Sequence, residues 1–134
     1  MKNNILAIFS ILLLLNCSSN SNSTVPDAPT VNISKQLRHI VLFKFKEASS
    51  KEEIQKIETA FSNLPSKIEQ IKDFEWGLNN SPEGLNKDFT HCFLVTFDNE
   101  EDRAIYLPHP AHKEFVSLLE PYLEDVLVLD YWSK

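Results

Sequence analysis

The sequence predicts an α+β fold in which two β-α-β halves share one antiparallel sheet. Three observations lead there. Four segments rich in β-branched and aromatic residues fall at 38–45, 73–80, 89–97 and 126–132. Stretches with helical spacing separate the first from the second and the third from the fourth. The first segment, RHIVLFKF, carries apolar residues at even as well as odd positions, so it is a strand covered on both sides. The order β-α-β-β-α-β is that of a ferredoxin-like plait, with helices on one sheet face.

Each element has its local reason. Ser50 and Glu53 have capping-box spacing, and Ile54, Ile57, Phe61 and Leu64 then recur at helical intervals until Pro65 interrupts them. A short second turn is expected over SKIEQI. The acid-rich DNEEDRAIYL (98–107) starts a short helix that Pro108 ends. A further helix is predicted from Pro110 through Phe115, Leu118 and Leu119 to about Leu123. VLVLDYW supplies the last strand. The sheet face away from the helices is also apolar, and an uncovered face of this kind aggregates, so a second copy is expected to cover it.

The domain is expected over residues 36–134, roughly 97 of them dense in apolar side chains and enough for one core. Residues 1–17 read as a leader, with Lys2 followed by an apolar run at 5–15. That run is shorter than the roughly 20 residues a membrane span needs. Leu14-Leu15-Asn16-Cys17 resembles a bacterial lipobox, which implies acylation of Cys17 and anchoring in the cell envelope, on the periplasmic side of an outer membrane. Residues 18–35 are rich in Ser, Asn and Pro and read as a flexible tether.

The formal charge is −6, and loss of a leader holding Lys2 and no acid takes it to −7. This opposes nucleic-acid binding, whose footprint is a basic stripe. With Cys17 acylated, Cys92 is the only thiol left, and within THCFLVTF it reads as a small buried hydrophobe. No nucleotide loop, redox motif or nucleophile elbow is present, so no cofactor is expected.

The segment IYLPHPAHKEF concentrates the polar chemistry. Pro110 suits a first helical position, which makes His109 the cap and His112 the third helical residue. There the positive end of the helix dipole disfavours imidazolium, and a neutral ring can accept a proton. Tyr106, just before the break, can donate to a developing oxyanion. His39 and His91 share strand-face parity with Phe43 and Phe93, so each is a buried structural residue or a cavity-facing one. His109 lies outside the regular helix and no Cys or carboxylate completes a set within the segment, Asp130 being the best third ligand, so no metal site is expected.

RHIVLFKFK, the Trp-Gly of FEWGLN, THCFLVTF, YLPHPAH and the terminal VLVLDY resemble, in that order and spacing, the stress-responsive dimeric α/β-barrel (Dabb) family. The resemblance covers about residues 37–132 and implies a ferredoxin-like domain whose sheet faces that of a second copy. In one plant member, a polyketide cyclase, the catalytic tyrosine matches Tyr106 and the catalytic histidine matches His112. The aspartate supporting that histidine matches Asp130, which is expected to accept from the His112 ring. Histidines of its first and third strands match His39 and His91. The pocket lining departs, with Leu123 replacing an aromatic, and Glu58 or Thr59 replacing bulky aromatics with only Phe61 nearby. The substrate therefore does not carry over.

Three functions are compatible with these residues. The leading one is a lipid-anchored homodimer that binds a small apolar or aromatic molecule between sheet and helices, with His39, His91 and Phe61 lining the pocket. The second is a cyclase- or isomerase-like enzyme using Tyr106 and His112. The third is a non-catalytic, stress-related envelope protein.

Overall fold

The computed structural model of the protein describes residues 35–134. The leader, Cys17 and nearly all of the tether lie outside the described residues. The strands are β1 (Leu37–Phe45), β2 (Asp73–Leu78), β3 (His91–Phe97) and β4 (Leu123–Trp132). The helices are α1 (Lys51–Ser62), α2 (Glu100–Tyr106) and α3 (Pro110–Leu119). The sheet order is β2-β3-β1-β4, with every pairing antiparallel. This is the expected ferredoxin-like α+β fold, with β1 central and β4 on an edge.

The capping box forms in full: Glu53 N–H donates to Ser50 Oγ at 3.2 Å, and Ser50 N–H donates to the Glu53 carboxylate at 2.8 Å. The short second turn falls earlier than SKIEQI, on a 3₁₀ turn at Leu64–Ser66, with Pro65 among its first residues. Proline lacks only a donor that a helix start leaves unused, so it begins this turn although it cannot continue α1. The last helix also ends early, at Leu119, because Pro121 follows its cap and the chain turns directly into β4.

Register assigns the sheet faces. On β1, Leu37, His39, Val41 and Phe43 point towards the helices. They oppose Phe97, Val95, Phe93 and His91, the last at Phe43, with His39 opposite Val95. The core between sheet and helices is aromatic: Phe61 stacks on Phe93 at 4.5 Å, and Phe115 lies 4.5 Å from Phe61. Burying each such ring contributes roughly 1.5–3 kcal/mol. The opposite face presents Ile40, Leu42, Leu94, Leu127, Leu129 and Tyr131, and the three on β4 are exposed in the protomer.

Candidate functional site: a tyrosine–histidine corner against β1 and β4

The corner between α2 and α3 is built by its prolines. Tyr106 is the last residue of α2, and Pro108 lies two residues on. Pro110 opens α3, and His109 caps it, its Nδ1 accepting from Ala111 N–H at 3.2 Å. His109 therefore carries no proton on Nδ1. One turn into α3, His112 Nδ1 donates to the Leu107 carbonyl at 3.0 Å. A carbonyl can only accept, so the His112 proton sits on Nδ1 and the neutral ring keeps a lone pair on Nε2.

This corner lays the His112 ring against Tyr106, with centroids 4.3 Å apart. The edge of His39 approaches the same tyrosine at 5.9 Å, and the Phe97 ring lies 5.1 Å from that tyrosine. Tyr106 is 0% exposed, and its hydroxyl has no hydrogen-bond partner. Among the described residues it is the sole fully buried side-chain nitrogen or oxygen in that condition. Burial pushes its phenol well above the usual range. Burial likewise lowers the His112 pKa, helped by nearby His39 and His109 and opposed by the Leu107 carbonyl. The ring is thus held neutral at pH 7.

Asp130 takes a different partner from the one expected. The antiparallel register of β1 and β4 sets His39 directly opposite Asp130, and His39 Nδ1 donates to Asp130 Oδ1 at 3.0 Å. Arg103, on α2, reaches the same oxygen at 3.0 Å. Burial pushes the Asp130 carboxyl upward, but the bonds from Arg103 and His39 outweigh it and hold the group below the usual carboxylate range. Asp130 thus supports His39, while the backbone at Leu107 orients His112. The cross-strand register decides this, because it brings His39 within bonding distance of the carboxylate.

The other two residues expected to line a pocket lie away from the Tyr106 corner. His91 is four residues from Val95 along β3, roughly 13 Å from the level of His39. Its Nε2 pairs with Glu58 of α1 at 3.1 Å, and its Nδ1 pairs with the Thr90 hydroxyl at 2.7 Å. Trp76 stacks nearly parallel to it. Both nitrogens are occupied within the protein, and His91 borders a cleft that lies apart from the Tyr106 corner. Phe61, 1% exposed, packs among Phe43, Phe74, Phe93 and Phe115. It fills the interior instead of lining a space in it.

Only Tyr106, His112, His39 and Asp130 therefore gather, and Arg103 joins them unforeseen. Arg103 stands three residues before Tyr106, on one face of α2, and that spacing is the signal by which it can be found. Glu58, the partner of His91, carries a weaker signal, since it precedes a buried phenylalanine by three on α1. Among the described residues no three His, Cys, Asp or Glu side chains form a metal-binding set. A cleft of about 660 Å³ lies away from this corner, bordered by Leu42, Trp76, Leu85, His91 and Leu94.

The Tyr106 corner can hold a proton acceptor and a hydroxyl donor side by side. His112 Nε2 and His39 Nε2 make no protein hydrogen bond, and neither is sealed from solvent as the Tyr106 hydroxyl is. A buried hydroxyl left unpaired costs ~1–3 kcal/mol, so such a group is kept where a ligand or water supplies its partner.

Fold and corner together define a small ferredoxin-like domain with a tyrosine–histidine pair at a helix break. The chain belongs to the Stress responsive A/B Barrel Domain (Dabb) family, which matches residues 37–133. It is 40% identical over 95 residues to the stress-response A/B barrel domain-containing protein HS1 of Arabidopsis thaliana, covering 71% of this chain and 87% of that one. It is 28% identical to olivetolic acid cyclase of Cannabis sativa, covering 71% and 94%. Among solved structures, the hydroxynitrile lyase of Passiflora edulis superposes with a TM-score of 0.71 at 28% identity, covering 75% and 95%. A protein of Bacteroides fragilis described as dimeric and ferredoxin-like superposes with a TM-score of 0.59 at 31% identity, covering 72% and 94%.

Proposed function

We propose that this protein is a lipid-anchored homodimer that binds a small apolar or aromatic molecule bearing a hydroxyl group at the Tyr106 corner. The observation that carries the reading is the buried Tyr106 hydroxyl without a partner, beside two imidazoles whose Nε2 atoms make no hydrogen bond. Tyr106 supplies one donor. His112, held neutral, supplies an acceptor, and His39 presents its Nε2 with Nδ1 committed to Asp130. That pattern suits a hydroxyl better than a carboxylate, which has no proton to give.

Tyr106→Phe is expected to raise the stability of the ligand-free domain by ~1–3 kcal/mol, because it removes an unsatisfied buried hydroxyl. The same change weakens ligand binding. Calorimetry with 2-naphthol as probe, 2-naphthoate as its anionic control, and thermal denaturation measure both effects. Loss of stability with unchanged 2-naphthol binding would remove this reading. Native mass spectrometry of protein from its own host then asks whether a small molecule travels with the dimer.

A second reading is favoured by the lowered His112 pKa and by the names of two similar proteins, a cyclase and a lyase. In it, His112 Nε2 withdraws a proton from the bound molecule while Tyr106 stabilises the oxygen that gains charge. Turnover that disappears in His112→Ala while 2-naphthol still binds separates enzyme from binder. Neither ligand nor turnover leaves the domain as a non-catalytic envelope component.

Anchoring rests on Cys17 and its lipobox-like context. Cys17→Ser is expected to release the protein from the membrane fraction or stop its maturation. A wild type that takes up no fatty-acid analogue during growth contradicts the anchor.

A further inference from the structure

We propose that Arg103 is a positioning residue of the Tyr106 corner, fixing the His39 imidazole in a single tautomer by holding the Asp130 carboxylate in place. The inference deepens the ligand-binding reading and rests on it for its functional meaning, but its structural claim stands on three side chains. Asp130 lies on the edge strand β4, whose residues from Glu124 to Trp132 are exposed. An aspartate there is free to turn its carboxylate to water. Two bonds hold it inward, one from His39 on β1 and one from Arg103 on α2, and both fall on Oδ1 at 3.0 Å.

The two bonds differ in kind. The imidazole can donate from either nitrogen, so on its own it leaves its tautomer open. The guanidinium has no such choice, since it is always charged and only donates. Arg103 therefore fixes the carboxylate, and the fixed carboxylate requires the His39 proton on Nδ1. Nε2 is then the nitrogen left for a ligand. The charged and titratable groups facing His39 are Asp130 from β4, Arg103 and Tyr106 from α2, and His112 from α3.

The same bond ties the corner together. α2 is only seven residues long, and Arg103 and Tyr106 share one face of it. Joining Arg103 to β4 pins that face against the sheet, one turn before the buried tyrosine. No such tie follows from the backbone corner at Pro108 and Pro110, which sets only how α3 leaves α2.

The test is read on ligand-free protein labelled with nitrogen-15, from the ring-nitrogen shifts of the histidines at alkaline pH, well above the ordinary imidazole pKa of about 6.5, so that ring protonation does not mimic tautomer exchange. Wild-type His39 is expected to show a protonated Nδ1 and an unprotonated Nε2. In Arg103→Met, which keeps much of the apolar stem, the two shifts converge as both tautomers are populated. His91 is the internal control, because Glu58 and Thr90 hold it independently. If Arg103→Met does not fold, Arg103→Gln carries the same comparison with a polar neutral side chain. Retention of the wild-type His39 shifts in a folded variant overturns the proposal and leaves Arg103 as a surface ion pair. That outcome is distinct from failure of the ligand reading, which is decided by 2-naphthol binding to wild type and Tyr106→Phe.

Discussion

Phe61→Ala is expected to destabilise the domain by about 3–5 kcal/mol, the usual cost of emptying a buried aromatic site. Domains of this size are stable by only about 5–15 kcal/mol in total, so the variant is expected to be partly unfolded at growth temperature. The ring is stacked on Phe93 and lies close to Phe43, Phe74 and Phe115, so no neighbour can collapse into the space without leaving its own packing. Chemical denaturation measures the loss from the shift in midpoint. A pocket-lining residue behaves differently, since its truncation enlarges a space that already exists and costs little. A loss below about 1 kcal/mol, well under the usual range for such truncations, therefore reinstates Phe61 as pocket lining.

The second large effect concerns assembly. Leu129→Glu is expected to turn the proposed dimer into monomer or aggregate while leaving the protomer folded. Leu129 is 51% exposed in the protomer, so a carboxylate there remains hydrated and the fold loses little. In a dimer joined through the helix-free face, the same carboxylate is forced out of water into an apolar contact. Ile40, Leu42 and Leu94 make the middle of that face apolar, and Arg38 stands at one end of it, already bonded to Thr96 and Gln36. Sedimentation velocity at micromolar concentration distinguishes the species. A Leu129→Glu protein that remains a dimer places the interface on another surface.

Much of the fold was legible because it depends on neighbours in sequence. The capping box at Ser50 and Glu53, the parity of β1, and the start of α3 at Pro110 with His109 as its cap are local effects, decided within a few residues. Element ends were less legible. Pro65 stops α1 yet begins a 3₁₀ turn, and Pro121 sends the chain into β4 before the apolar spacing runs out. The Tyr106–His112 pair was also local, six residues apart across one corner. The partner of Asp130 was not, because it depends on how two strands 91 residues apart line up. Arg103 sat in an acid-rich stretch where a solvated charge is the ordinary expectation, and only the return of β4 beside β1 gives it a partner.

The pairing of His39 with Asp130 also bears on how the chain avoids misfolding. From Val126 to Leu129 the last strand is apolar on both faces, so hydrophobicity alone scarcely distinguishes the correct alignment from a slip by one position. Within Val126–Trp132, Asp130 is the only charged side chain. A slip of one residue would drive its carboxylate into the oily face and bring a leucine or tyrosine to His39, leaving both the imidazole and Arg103 without an acceptor. The same carboxylate that serves the corner thus also marks the one alignment of the edge strand in which all three polar groups are paired.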